Sequence, residues 1–483
     1  MTQLHSAWLH DMPALEQAAA VARREISPVE LVEHYLSRID SLSEELGAFV
    51  TVTADEAIAE AREKENFLCS RKDLSLQDGL PVLYGVPVAI KDLNLTAGVT
   101  TMFGSAVMRD FVSPVDDHVV TRIKQGGMIV LGKTNVPEFG LPCYTEPDVA
   151  PPARTPHDPS RSAGGSSGGA AVSVAAGLAP IAQGNDGAGS IRIPASVCGL
   201  VGLKPSRGRV SNGPIFPDTN GLGINGPLAR TVADAAALLD VMAGYMPGDP
   251  WWAPPLPENE TFLSFTRRPP GRLKIGRYID PVVPGAVVDP ECKKAWEDSS
   301  RLLEELGHEV IDCALPFSVD LIPHFEIIWA AGAASLPVAP HDEPKLRALT
   351  RWLRERGRQA AATEYLGAFG AAQASARQAV ESTLSFDVVM TPTLAQLPAP
   401  IGFFRNDEQP EMDFEAQKRF TPFTATYNLT GQPAISLPLH WTPDGLPIGI
   451  QFIGRPAEEG LLLSLAAQLE EAGPWADKLT QCW

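Results

Sequence analysis

The chain predicts an α/β fold, a single domain with helical insertions, on three observations. Short apolar runs ending in polar or glycine-rich loops recur along it, at Val88–Ile90, Met128–Leu131, Leu178–Gln183, Asp387–Met390, Ala434–Pro438 and Ile448–Ile453, as buried strands do. Helical patterns lie between them, and strand Leu273–Ile279, helix Pro290–Leu306 and strand Glu309–Asp312 form a βαβ rhythm that calls for parallel pairing in one sheet. The composition supports a sizeable core, with 44% hydrophobic and 20% charged residues in 483. Length alone would allow about three domains, but large α/β enzymes often stay single. Residues 1–483 are therefore read as one unit: N-terminal helices to 70, a core over 71–245, a connector and helical insertion over 246–385, and closing strands and helix over 386–483.

Taken in order, Met12–Glu25 is alanine-rich and helical. Ser27-Pro28-Val29-Glu30 is a capping box with proline at the first helical position. Leu31, His34, Tyr35, Ile39 and Leu42 recur at helical spacing and form its buried stripe. Ala54–Leu68 alternates charge like a solvated helix, and a polar loop follows. Lys91 then closes the strand Val88–Ile90, a place where α/β proteins carry catalytic groups, although a lysine there usually just reaches for the surface. A helix near Val119–Gln125 leads to Gly127-Met128-Ile129-Val130-Leu131-Gly132-Lys133-Thr134, which satisfies the phosphate-binding pattern G-x-x-x-x-G-K-T. Here Met-Ile-Val-Leu is itself the strand, so its N–H groups face neighbouring strands and nucleotide binding is disfavoured. Cys143–Ser160, rich in proline, reads as a surface-hugging loop. Gly199–Pro205 and Gly213–Pro227 also read as loops, Thr231–Gly244 as a helix, Gly244–Arg272 as a long connector, and 321–378 as helical, with Arg351–Arg356 a solvated face. Glu459–Glu471 is the last helix.

Two glycine-serine loops, Gly164–Gly169 and Gly184–Ser190, flank the strand Leu178–Gln183. Glycine this dense costs backbone entropy, and it brings N–H groups close to a reacting carbonyl or a phosphate. The second loop runs into Ile191-Arg192-Ile193-Pro194, a helix start, so consecutive N–H groups stand beside Ser190 as an oxyanion site would require. Gly164–Gly168 also fits G-x-S-x-G, but the prolines upstream remove the strand that motif needs. A Ser-His-Asp arrangement using His308, His324, His341 or His440 stays open, though none stands in a supporting motif.

Charge and cysteine usage narrow the partners. Lys+Arg 39 against Asp+Glu 58 gives −19, which disfavours nucleic acid and anionic membrane. The six cysteines are scattered with no CxxC, fitting reduced thiols in a cytoplasm rather than disulfides or zinc. The N-terminus lacks a signal-peptide pattern, and no run of 18 apolar residues occurs.

Lys91 in V-A-I-K-D, G-G-S-S-G-G at 164–169 and D-G-A-G-S-I-R-I-P-A at 186–195 resemble the amidase signature family. Ser166 and Ser190 are 24 apart, as that family's paired serines are. G-K-T-N-V-P-E-F at 132–139, C-G-L-V-G-L-K-P at 198–205, G-P-L-A-R-T-V-A-D at 226–234 and T-G-Q-P-A-I-S-L-P at 430–438 extend the likeness over nearly the whole chain. The resemblance implies a single α/β/α domain around a twisted mixed sheet surrounded by helices. Within the family the chain is most similar to aryl amidases, nylon-oligomer hydrolases and urethanases.

For the site, the resemblance implies that Lys91, neutral through burial, deprotonates Ser166, which follows a cis peptide bond and relays the proton from the nucleophile Ser190. N–H groups of Gly187, Ala188, Gly189 and Ser190 would hold the oxyanion, with Ser167, Asp186 and Arg192 as supports. No metal or cofactor is implied, and the substrate is a small amide or carbamate acted on by a monomer or homodimer. Ala188 stands where relatives usually have glycine, so it either fits a glycine-permissive backbone or lines the pocket with its methyl. Tyr144, Ile215 and Phe216, together with Phe325–Trp329 in the insertion, are expected to make that pocket apolar. The rival reading is the catalytic subunit of a glutamine-dependent tRNA amidotransferase, which shares the triad.

Overall fold

The computed structural model describes residues 6–71, 79–216 and 218–479. The first five residues, most of the polar loop after the third helix (72–78), Pro217 within the stretch read as a loop over Gly213–Pro227, and Cys482 lie outside it. Eleven strands form one sheet: β1 Phe49–Val52, β2 Pro87–Lys91, β3 Ile129–Thr134, β4 Ile181–Asp186, β5 Val201–Lys204, β6 Ile224–Ala229, β7 Lys274–Arg277, β8 Glu309–Asp312, β9 Val388–Pro392, β10 Ala434–Trp441 and β11 Pro447–Gly454. Their order is β1-β3-β2-β4-β6-β5-β10-β11-β9-β7-β8. The sheet is mixed. β2 is parallel to β3 and β4, and β7 to β8 and β9, whereas β6, β5, β10 and β11 run antiparallel to their neighbours.

Local signals produced the elements they predict. Ser27 Oγ accepts the Val29 N–H and Glu30 returns a bond to the Ser27 N–H, starting helix Pro28–Leu46. Its inward stripe holds Leu31, Tyr35 and Ile39 fully buried, with His34 and Leu42 half-buried. Helix Pro290–Glu305 joins β7 to β8, whose parallel pairing is the expected βαβ unit. Helices surround the sheet: Gly168–Ala175 lies on β2 and β4, Arg192–Cys198 on β5, β10 and β11, and Val232–Met242 on β5 and β6.

Several expectations are corrected. Both stretches read as glycine-proline loops contain central strands, β5 and β6. A Cβ on Gly226 of β6 would lie 2.2 Å from the Leu203 carbonyl oxygen, so glycine is there to let two strands approach. The proline-rich run 143–160 is a loop, but Pro142–Pro147 is buried rather than exposed. Its backbone is satisfied inside the protein: Arg347 Nη1 donates to the Glu146 carbonyl at 2.8 Å and Asn135 Nδ2 to that of Pro151 at 2.7 Å. Within Arg351–Arg356, Leu353 and Arg354 point inward, and Arg354 donates to the Ala333 and Leu336 carbonyls while pairing with Glu343. The stretch that mimics a P-loop is β3, with Lys133 fully buried in it.

Candidate active site

β2 and β4 lie side by side, and their ends deliver the polar groups of the site. All five residues of β2 are buried, so the Lys91 amine has no water to reach for and must find partners inside. It finds Ser166 Oγ at 2.8 Å, the Asn185 carbonyl at 3.1 Å and Asn185 Oδ1 at 2.6 Å. Burial drives the Lys91 pKa well below the usual lysine range, and the nearby charge of Asp186 offsets only part of this. The Gly165–Ser166 peptide bond is cis.

Ser190 ends the loop after β4, just before helix Arg192–Cys198. The two loops are tied by the Ser167 N–H, which donates to the Ser190 carbonyl at 3.2 Å, and Ser167 Oγ donates to the Asn185 carbonyl at 3.1 Å. Asp186 and Arg192 form a fully buried ion pair. Burial alone would raise the Asp186 pKa, but the Arg192 guanidinium outweighs it and holds the carboxyl far below its ordinary range. The same carboxylate accepts the Gly189 N–H at 2.7 Å and the Ile191 N–H at 3.1 Å, which shapes the turn that carries Ser190.

That contact alters one expected role. The Gly189 N–H is spent on Asp186, so it does not face the pocket. The N–H groups of Gly187, Ala188 and Ser190 donate to no protein acceptor among the described residues. Gly189 is needed for another reason: its φ is +125° and a Cβ there would meet Thr424 Oγ1 at 2.4 Å. Ala188 has no positive φ and lines the pocket, so of its two expected roles it takes the second.

The pocket at Ser190 is lined by Leu141, Cys143, Ile193, Phe325, Trp329 and Phe414 among others. Trp329 stacks on Phe325 with ring centroids 5.6 Å apart and lies over Gly187. Charges at the rim cancel locally, since Lys418 pairs with Glu326 and Glu415, and Glu326 also with Arg356. Phe325 and Trp329 thus sit where the sequence placed them. Tyr144, Ile215 and Phe216 do not. Tyr144 is fully buried, donates to Asp413 at 2.7 Å and stacks on Phe404. Ile215 and Phe216 are exposed and line a separate cleft with His118 and Trp251. No histidine is among the residues lining the Ser190 pocket, which closes the Ser-His-Asp alternative at this site.

Asn185 was missed, although a local signal existed. Continuing β4 two residues past Gln183 puts Asn185 on the same side of the strand. Asn428 was missed for lack of any such signal; its Nδ2 donates to the Asp186 carbonyl at 2.7 Å from 242 residues away.

One mixed sheet, a desolvated lysine bonded to a serine, and a second serine under an apolar pocket define an α/β hydrolytic enzyme. The chain matches the amidase family over residues 30–463 and belongs to it, as a member of the amidase signature family that hydrolyses amide C–N bonds. It is 33% identical over 496 residues to the 6-aminohexanoate-cyclic-dimer hydrolase of Paenarthrobacter ureafaciens, covering 97% of this chain and 96% of that one. The structure of a 6-aminohexanoate cyclic dimer hydrolase complexed with substrate superposes with a TM-score of 0.86 at 31% identity, over 97% of this chain and 98% of that one. A bacterial aryl acylamidase of the amidase signature family gives a TM-score of 0.87 at 25% identity, over 98% and 99%.

Proposed function

We propose that the chain is a serine hydrolase of neutral, apolar amides and carbamates, in which Lys91 is the base, Ser166 the proton relay and Ser190 the nucleophile. The observation that carries this is the 2.8 Å contact between a fully buried lysine and Ser166 Oγ, on a loop bonded directly to that of Ser190. A lysine kept neutral by burial accepts the Ser166 proton, and Ser166 accepts that of Ser190 as its oxygen attacks the carbonyl. The N–H groups of Gly187, Ala188 and Ser190 receive the oxyanion; losing one such donor typically costs about 10²–10³ in rate. Ser166 then protonates the leaving nitrogen, and water resolves the acyl-enzyme.

Substrate class follows from the walls. Phe325, Trp329 and Phe414 offer aromatic faces, and the neutralised rim gives no site for a free carboxylate or ammonium. Aryl and cyclic aliphatic amides fit this lining, and a carbamate presents the same carbonyl to Ser190, leaving an alcohol and, after loss of CO2, an amine. The net charge of −19 disfavours a charged-tRNA partner. The test is a panel of anilide, lactam, carbamate and ester substrates on the purified chain, with Ser190→Ala and Lys91→Ala beside it. Both variants are expected to be inactive yet folded; wild-type rates in both would end this reading. A requirement for glutamine and a partner subunit would favour the transamidase instead.

A further inference from the structure

A neutral amine has two hydrogens and one lone pair, so where the lone pair points decides what the base can take. Of the three oxygens around Lys91 Nζ, two belong to Asn185, its main-chain carbonyl and Oδ1, and these only accept. They absorb both hydrogens. The lone pair is left for Ser166 Oγ, whose hydroxyl can then donate along the 2.8 Å contact.

This works only with Oδ1, and not Nδ2, turned toward the lysine. The orientation is imposed from behind. Asn185 Nδ2 donates to Asn94 Oδ1 at 3.3 Å, and the same oxygen accepts Gln183 Nε2 at 3.0 Å. Asn94 Nδ2 in turn donates to Asp117 Oδ2 at 3.2 Å, which also accepts the Leu95 N–H at 2.9 Å. Burial pushes Asp117 up to about 7, but the Leu95 main-chain N–H can only donate, so Asp117 Oδ2 is held as an acceptor and the polarity of the chain passes from there through each amide to Lys91. Gln183 reinforces it from the same strand by accepting the Lys91 main-chain N–H at 3.1 Å. Asn94, Asp117 and Gln183 are all buried, so water does not compete for the bonds among them, while Asn185 itself is half-buried.

We propose that Asn185 is a positioning residue for amide hydrolysis, held by Asn94 and Asp117 so that it aims the Lys91 lone pair at Ser166. The inference rests on Lys91 as the base, and the experiment separates the two. Asn185→Asp keeps the shape and places a carboxylate against Nζ, which holds the lysine as an ammonium. The expected result on an anilide is a kcat at neutral pH lower by about 10²–10⁴, the usual worth of a general base. KM is expected to be unchanged, and the acid limb of the kcat profile to move to higher pH. Asn94→Leu leaves Lys91 untouched and frees Asn185 to turn; kcat is expected to fall about 10-fold or more at constant KM. Circular dichroism and thermal melts report folding, and Lys91→Met is the reference. If Lys91→Met is dead while Asn185→Asp keeps wild-type kcat and an unmoved acid limb, the positioning role is wrong and the base stands. If Lys91→Met stays active, the base is wrong and this inference goes with it. Should Asn185→Asp not fold, unchanged kcat in Asn94→Leu overturns the proposal.

Discussion

Lys91 and Lys133 stand on adjacent parallel strands, one register step apart: Ile90 pairs with Lys133, and Lys91 with Thr134. Both are fully buried. Lys133 Nζ meets a carboxylate, Asp92 Oδ1, at 3.1 Å and Thr101 Oγ1 at 2.9 Å, whereas the contacts of Lys91 are all uncharged oxygens. Burial lowers both pKa values, but the Asp92 charge works against it at Lys133. Asp92 itself is pushed up to about 6 by burial, with the attraction of Lys133 opposing the rise. Burial alone therefore does not make a base. The difference is a counter-ion in contact, which Lys133 has and Lys91 lacks, and it underlies the proposed division into a structural cation and a proton acceptor.

The largest expected effect breaks that division if it fails. Lys91→Met lowers kcat on an anilide by about 10²–10⁴, while Lys133→Met leaves kcat per folded molecule near wild type; similar losses in both would end the comparison. Stability runs the other way. Lys133→Met strands Asp92 without its partner and costs about 3–5 kcal/mol in urea unfolding, and adding Asp92→Leu recovers part of it. A loss under 1 kcal/mol in the single variant, about the worth of an exposed pair, would demote the ion pair.

A pH series sharpens the contrast. The Lys91 pKa is depressed on folding, so between that folded value and about 10.4 the native chain binds fewer protons than the unfolded one. Stability from this group consequently rises with pH across the window, by at most about 1.4 kcal/mol per unit. Lys91→Met removes that contribution, so the variant is expected to gain most at the acid end and least near pH 10. Parallel stability curves for the two proteins would contradict it. The smallest effect is Thr101→Val, which takes one acceptor from Lys133; about 1–2 kcal/mol is expected to be lost with kcat unchanged.

What could be read from the sequence was what local chemistry dictates. Ser27 and Glu30 cap a helix through their own neighbours, and Lys91 ends a strand whose apolar run announces it. The serine loops declare themselves through glycine. β5 and β6 were hidden because glycine and proline weaken a strand pattern, and only pairing with β4 and β10 overrides that preference. Tyr144 and Phe325 look alike as apolar aromatics. What separates them is Asp413, 269 residues downstream, which draws Tyr144 inward, while Phe325 is left facing the pocket. The proline-rich loop reads as surface in the sequence because its buried carbonyls find distant side chains that no local pattern shows.

Arg192 carries a consequence in time as well as space. From a position two residues past Ser190 its guanidinium reaches the Thr424 carbonyl, Asn428 Oδ1 and Gln451 Oε1 on β11. Lys91, Ser166 and Ser190 are all synthesised before residue 191, yet the turn that holds Ser190 is fastened by residues made more than 230 positions later. A nascent chain of 300 residues therefore holds all three proposed reacting groups and lacks a finished site. Hydrolysis is expected to begin only when β11 has docked, which translation-arrested chains of graded length would reveal as a step in activity near residue 451 rather than near 190.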